Sequence, residues 1–216
     1  MEEVREAIAV FQPDVVAVEL DQARFATLKR QVQDPNVSDV IEARNFTQLL
    51  VQWVLAYLQR KIGLDMGVEP GAEMKAAVEE AESRGLAVAL IDRDIRITLR
   101  RFWKSLSLLE KARMLYALAV SVASIDDEKI DVEALKQQDM VEVAMEEFRK
   151  FSPNGARALI DERDAYLSQQ LIGLSGSYER VLAVVGAGHV KGIQGYLDHP
   201  GTLPPLQDLN ADVKSI

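Results

Sequence analysis

The sequence predicts an α/β fold: a central, mostly parallel sheet of few strands, flanked by helices, with a large helical insertion before the last strand. Three short, continuously apolar runs predict buried strands at Val15–Leu20, Ala87–Ile91 and Val181–Val185. Helical patterns separate the first two runs and fill about 94–172. Strands that alternate with helices are typical of parallel sheets.

The chain opens on a helical pattern, MEEVREAIAV, which leads directly into the first strand. Because a helix in an alternating α/β pattern normally follows a strand, we expect further sequence upstream. Helical patterns follow at about Gln22–Gln33, Glu42–Lys61 and Gly71–Arg84. Asp21 is placed to cap the first of these, and Gly85 is placed to end the last.

The insertion is helical from Asp94, a candidate cap, with breaks predicted near 105–107, 124–131 and 152–155. A single domain is expected over 1–198, because 216 residues suffice for one substantial core. Prolines interrupt 199–216 too often for a regular element, which predicts a surface strap or the start of a linker.

The composition excludes several classes of function. A net charge of −9 argues against a nucleic-acid partner, and the absence of cysteine excludes disulfides, zinc–thiolate sites and thiol catalysis. No segment is long and apolar enough to span a bilayer, and no signal peptide precedes the first helix, so we expect a soluble, cytoplasmic domain. The oligomeric state stays open.

Charged and titratable residues follow each predicted strand. Glu19 closes the first, Asp92 and Arg93 follow the second, and His189 follows the third on a turn bounded by Gly186 and Gly188. These glycines allow a tight turn and a close approach to a ligand or cofactor. If the strands are parallel neighbours, these side chains meet at one edge, where α/β proteins bind their ligands.

One imidazole and several carboxylates suit a metal site with oxygen and nitrogen ligands, or acid–base chemistry, and Arg93 could stabilise an oxyanion. Structural alternatives remain. Glu19 could pair with Arg24, Asp92 could hold Arg93, and His189 could bond across its turn. His199 is expected at the surface.

Two other motifs fit poorly. The GxGxxxG spacing of 186–192 is near a dinucleotide fingerprint, but that motif requires a following strand with an acidic residue, and a proline-rich tail follows instead. The segment GLSGS at 173–177 has its glycine one place too early for a nucleophile elbow.

Five separated segments together resemble the TraB/PrgY family, the pheromone-shutdown family, which is distantly similar to Tiki metalloproteases and erythromycin esterases. They are QPDVVAVELD at 12–21 with Arg24, GAEM at 71–74, LIDRDI at 90–95 with Thr98 and Leu99, DERD at 161–164, and VVGAGHV at 184–190. The resemblance covers nearly the whole chain in the family's order.

The resemblance implies a metal-dependent hydrolase or peptidase site with two GxxH motifs, a glutamate and an arginine. Residues 186–189 match the second GxxH, Glu19 matches the glutamate, and Arg93 or Arg163 matches the arginine. Glu73 belongs to a family motif without an assigned role. The first GxxH is absent, so a metal site in this chain would be incomplete if the histidine of that motif is a ligand. The resemblance also implies that a full-length protein could continue into membrane helices.

The favoured interpretation is therefore a metal-dependent hydrolase that acts on peptides. His189 and Glu19 would bind Mn, Co or Zn, or activate water, and Arg93 would stabilise the developing charge, with Asp92, Arg163 and Glu73 as possible supporting residues. One alternative is a non-catalytic module that binds a small peptide, such as a pheromone, or another small molecule at the same edge, or regulates through it. A nucleotide-binding domain is the distant alternative.

Overall fold

One sheet of three parallel strands organises the chain in the computed structural model, which describes residues 1–33, 71–123 and 137–211. The strands are β1 Val15–Val18, β2 Ala87–Leu90 and β3 Val181–Val184, in the order β2-β1-β3. Each begins at its predicted residue and ends one or two residues early. The predicted α/β class, with a small parallel sheet and a helical insertion before the last strand, is confirmed.

The described helices follow the predicted pattern. They are α1 Glu2–Phe11, α2 Gln22–Gln33, α3 Ala72–Ser83, α4 Ile95–Ser105, α5 Leu108–Ala123, α6 Gln137–Phe151, α7 Pro153–Ala156, α8 Glu162–Ser175, α9 Ala187–Asp198 and α10 Leu206–Asn210. The helix predicted at Glu42–Lys61 and the break predicted at 124–131 lie outside the described residues. Over the described ranges, no helix is both long and apolar enough to cross a membrane.

Strand β1 is buried along its whole length, whereas β2 and β3 form the partly exposed edges of the sheet. Helices α1 and α3 cover one face, where Val16 and Val18 pack with Ile8. Helices α8 and α9 cover the other face, where Ala17 packs with Leu167. In the strand register, Val18 lies beside both Leu90 and Val184, so the carboxyl ends of all three strands meet at one edge.

Local chemistry sets the ends of three helices, two of which begin at this edge. Asp21 accepts a hydrogen bond from the Arg24 amide at 2.9 Å at the start of α2, and Asp94 accepts one from the Arg96 amide at 2.8 Å at the start of α4. Gly85 ends the α3 region with φ +68°, a left-handed conformation that glycine adopts without strain. The capping and stop signals predicted at these positions are confirmed.

The insertion ends in a continuous helical run from Pro153 to Ser175, in which Arg157–Asp161 forms a π-helical turn between α7 and α8. A π turn adds a residue to the helix and changes the directions of the side chains that follow, and such turns often occur at functional sites. Here it comes immediately before Glu162, Arg163 and Asp164.

The segment after His199 differs from its prediction. It contains a 3₁₀ turn at Pro200–Thr202 and the short helix α10, so the expectation of no regular element was wrong. The prolines stand at the starts of these elements, where their missing amide hydrogens cost nothing. The side chain of Leu209 is buried, which anchors α10 to the domain.

A buried carboxylate joins the start of α5 to the turn between α6 and α7. Glu110 accepts hydrogen bonds from the Ser107 amide at 2.8 Å, from the Ser152 hydroxyl at 3.0 Å and from the Asn154 amide at 2.9 Å. Burial alone would raise the pKa of Glu110, but hydrogen bonds from Asn154 and Ser107 outweigh it and lower the pKa to about 2, from an ordinary value of 4.5. Ser107 and Glu110 together form a capping box at the start of α5.

Replacing Glu110 by glutamine is expected to lower the free energy of unfolding at pH 7 by about 3 kcal/mol, because the stabilisation that corresponds to this pKa difference is lost. A lowered folded-state pKa contributes stability above pH 4.5 that disappears as the pH falls toward 2. Urea denaturation at several pH values should therefore show wild type and variant converging in acid. Equal differences at pH 7 and pH 2.5, or an equal loss in the exposed control Glu6→Gln, would contradict this.

Candidate active site at the carboxyl edge of the sheet

Residues from all three strand ends meet at one edge. Glu19 follows β1, Asp92 follows β2, and His189 lies in the first turn of α9 after β3. The side chains are largely buried, with exposed fractions of 10%, 1% and 11% respectively. The three strands are parallel neighbours and therefore bring these three residues to the same edge, as expected from the sequence.

Arg163 on α8 connects the two carboxylates, Glu19 and Asp92. Its Nη2 donates to Glu19 Oε1 at 2.5 Å and to Asp92 Oδ2 at 2.6 Å. Arg24 Nη2 donates to the same Asp92 oxygen, Oδ2, and Arg24 Nε donates to Asp21 Oδ2 at 3.0 Å. The anticipated pairing of Glu19 with Arg24 is thus replaced by pairing with Arg163, because Arg24 lies over the end of β2.

The two guanidinium groups keep Asp92 charged. Burial alone would raise the pKa of Asp92, but Arg163 and Arg24 outweigh it, so the pKa lies below its ordinary value. The same interactions act in reverse on Arg163, where the attraction of Asp92 and Glu19 exceeds the effect of burial and raises the pKa. Asp92 and Arg163 therefore form an ionised pair at neutral pH, and Glu19 contacts both Arg163 and His189.

His189 is oriented by Asp164, a carboxylate on α8. Its Nδ1 lies 2.5 Å from Asp164 Oδ1, and its Nε2 lies 3.5 Å from Glu19 Oε1. Burial raises the pKa of Asp164, while the hydrogen bond to His189 partly opposes that rise. A carboxylate on one ring nitrogen fixes the orientation of the imidazole and leaves the other nitrogen directed at the reaction partner or metal.

Glycines make room for these carboxylates. The Gly186 amide donates to Glu19 Oε2 at 2.7 Å, and a Cβ at this position would lie 3.3 Å from that oxygen. A Cβ on Gly192 would overlap the Asp164 carboxylate. A Cβ on Gly188 would meet the Met145 side chain. The space beside Gly186 and Gly188 is therefore taken up by the side chains of Glu19 and Met145. Binding of a cofactor by these two glycines stays a prediction.

Arg93 follows Asp92 directly, yet its side chain turns to another part of the fold. It is 1% exposed, its Nε donates to Thr98 Oγ1 at 3.1 Å, and its Nη1 donates to the Leu209 carbonyl at 2.5 Å. Nη1 also lies 3.6 Å from Glu162. These contacts join α4, α8 and α10, whereas Arg163 is the arginine that contacts Glu19.

The remaining candidates are dispersed. Glu73 is exposed in the first turn of α3, and His199 is exposed as expected. Asp164 and Gly192 were not predicted as site residues from the sequence. The signal for Asp164 was the run of four charged residues at 161–164 on a helix that otherwise packs against the sheet. For Gly192 the signal was its position three residues after His189, which places the two residues on the same side of a helix.

The side chains described at this edge offer few donor atoms to a metal. Among the described residues no group of three or more acidic or histidine side chains is arranged to hold an ion. His189 Nε2 and Glu19 Oε1 supply one nitrogen and one oxygen donor, which suits a divalent transition metal but falls short of the three protein ligands typical of catalytic zinc. The four carboxylates of Glu19, Asp21, Asp92 and Asp164 exceed the two guanidiniums by two negative charges when the imidazole is neutral.

A parallel sheet whose carboxyl edge carries a histidine and carboxylates, contacted by an arginine from α8, defines an α/β protein with a candidate acid–base or metal site. The model of the TraB/PrgY/gumN family matches residues 1–200, and the chain belongs to this family. It is 37% identical to the Uncharacterized protein MJ1365 of Methanocaldococcus jannaschii over 91% of this chain and 50% of that protein.

Two animal proteins match a similar share of the chain. The TraB domain-containing proteins of Homo sapiens and Bos taurus are 32% and 31% identical to the chain. In both comparisons the match covers 89% of this chain and 57% of the relative. The chain thus spans about half the length of the curated relatives it matches.

Proposed function

We propose that this chain is a metal-dependent hydrolase domain with peptidase-like activity on peptides. The proposal depends on one observation above all: His189 Nε2 and Glu19 Oε1 lie 3.5 Å apart at the carboxyl edge of the sheet, in a cluster with excess negative charge. These two atoms would hold a divalent cation of the Mn, Co or Zn class. Further ligands would have to come from outside the described residues or from water.

A bound cation would supply a Lewis acid and lower the pKa of a water molecule. The residues of the chain do the rest. Asp164 holds Nδ1 of His189, so that Nε2 remains available toward Glu19. Arg163, with 15% of its side chain exposed, is placed to stabilise negative charge that develops on a substrate carbonyl. The Arg93 guanidinium bonds to Thr98 and to the Leu209 carbonyl instead of to Glu19, so the proposed arginine is Arg163.

The test is the metal content of the purified chain, measured by elemental mass spectrometry after dialysis against manganese, cobalt or zinc. We expect near-stoichiometric metal in the wild type, loss of that metal in His189→Ala, and retention in His199→Ala, which removes the exposed histidine instead. No metal with any of the three ions, or equal metal in the two variants, would contradict the proposal.

A non-catalytic peptide-binding module is the second candidate. The observation in its favour is that the described residues bring only two donor atoms together, which is fewer than a catalytic metal needs. Such a module would bind its peptide equally well in the presence of a chelator. A hydrolase would lose turnover under the same treatment.

A further inference from the structure

A groove runs along the outer side of the His189–Asp164 pair. It has a volume of about 640 Å³ and lies between α6 and α9, with Asp161 and Asp164 also in its lining. Ligand sites in proteins typically measure about 300–1,000 Å³, so the groove can accept a side chain together with its neighbouring peptide units.

The groove reaches Asp164 because α9 has no side chains at two positions of the facing surface. Gly188 and Gly192 both line the groove, one helical turn apart. Asp164 Oδ2 lies against Gly192, while Oδ1 contacts Nδ1 of His189. One carboxylate, 4% exposed, therefore belongs both to the groove and to the candidate active site. A ligand in the groove would meet the same carboxylate that contacts the imidazole.

The lining carries excess negative charge. Its carboxylates are Glu142, Glu146, Asp161 and Asp164, and its cations are Arg149 and Lys191. Both cations are already paired, since Arg149 Nη1 lies 3.0 Å from Asp161 Oδ2 and Lys191 Nζ lies 2.5 Å from Glu142 Oε1. The lining thus has a formal excess of two carboxylates over its cations. Of these two, Glu146 lies 3.9 Å from Lys150 Nζ, outside the lining, and Asp164 contacts His189.

Aromatic and apolar surface lies beside these charges. Tyr196 and Met145 are part of the lining, and they can pack against the aliphatic stem of a long cationic side chain. A groove with both features suits a lysine or arginine side chain better than a small cation or an acidic group.

We infer that the groove is the specificity site for a cationic group, the guanidinium or amine of a peptide substrate, and that Asp164 receives it beside His189. This inference rests on the proposed function, since it names the substrate class of the same site. A peptide whose basic residue occupies the groove would place its neighbouring peptide bond at the carboxyl edge of the sheet.

The test uses two fluorescently labelled, acetylated and amidated pentapeptides that differ only in a central arginine or glutamate. Fluorescence anisotropy with the full chain is expected to give about tenfold tighter binding of the arginine peptide. The double variant Glu142→Lys, Glu146→Lys should weaken that binding by about tenfold, since it reverses two charges of the lining. The control Glu3→Lys, Glu6→Lys makes the same change in net charge on exposed positions of α1 and should leave the affinity nearly unchanged.

Equal affinity for the two peptides, or equal weakening by the groove variant and the α1 control, would overturn the inference. The outcome can be separated from that of the proposed function. An arginine peptide that binds in the groove but is not cleaved by the metal-loaded chain supports the groove and contradicts the hydrolase. Cleavage of both peptides at equal rates, lost in His189→Ala, supports the hydrolase and overturns the groove.

Discussion

Replacing Arg163 by methionine is expected to lower the free energy of unfolding by about 3–5 kcal/mol, the cost of leaving buried carboxylates without their cation. Glu19 and Asp92 both accept hydrogen bonds from its Nη2, and both are largely buried. Because methionine would retain most of the packing volume, the loss in free energy of unfolding would measure the effect of removing the charge. Among the described residues, Arg24 would be left as the guanidinium in contact with Asp92.

Urea denaturation at pH 7 would measure this loss, with Arg149→Met as the matched control. Arg149 makes an ion pair of two hydrogen bonds with Asp161. Because 43% of the Arg149 side chain is exposed, replacing Arg149 should lower the free energy of unfolding by less than about 1 kcal/mol. A loss for Arg163→Met no larger than that of the control would contradict the buried-cluster interpretation.

The same comparison has a predicted pH dependence. Because the folded-state pKa of Asp92 is lowered, its ionisation contributes stability above the ordinary value of 3.8, and that contribution disappears as the pH falls through the folded-state pKa. Arg163→Met removes the main cation that lowers this pKa. The difference in stability between wild type and variant should therefore shrink in acid.

The residues that sequence reasoning placed correctly share a local signal. Glu19, Asp92 and His189 each follow an apolar run, and the meeting of parallel strand ends is a general property of such sheets. The helix caps and Gly85 could be predicted for the same reason, because each depends on residues within one turn of itself.

The choice of arginine could not be predicted in this way. Arg93 adjoins a strand end in sequence, but its side chain bonds to Thr98 and to the Leu209 carbonyl, which is 116 positions away. Arg163 is separated from Glu19 by 144 positions. The packing of α8 on the sheet, and the direction set by the π turn before it, decide which guanidinium reaches the site.

The second large effect is expected from Asp164, which holds the imidazole of His189 in place. Asp164→Asn is expected to reduce metal affinity or hydrolysis by about 10- to 100-fold, the usual cost of losing the carboxylate that orients a metal-ligating histidine. Asparagine can donate as well as accept a hydrogen bond, so it no longer selects one tautomer of the imidazole. The ¹⁵N NMR shifts of the ring nitrogens would reveal that change directly, in a measurement that a purely structural role would leave unaltered.

Gly192→Ala should act in the same direction without altering any charge, because its methyl group would displace the Asp164 carboxylate from His189. Gly195→Ala is the matched control on the same helix, since a Cβ there meets nothing within 4 Å and alanine favours a helix interior. If Gly192→Ala and Asp164→Asn both weaken metal binding and alter the imidazole while Gly195→Ala does neither, the pair orients the reactive nitrogen. Unchanged metal binding and tautomer in Asp164→Asn would instead make Asp164 a packing residue, and Glu19 would be left as the carboxylate that acts on His189.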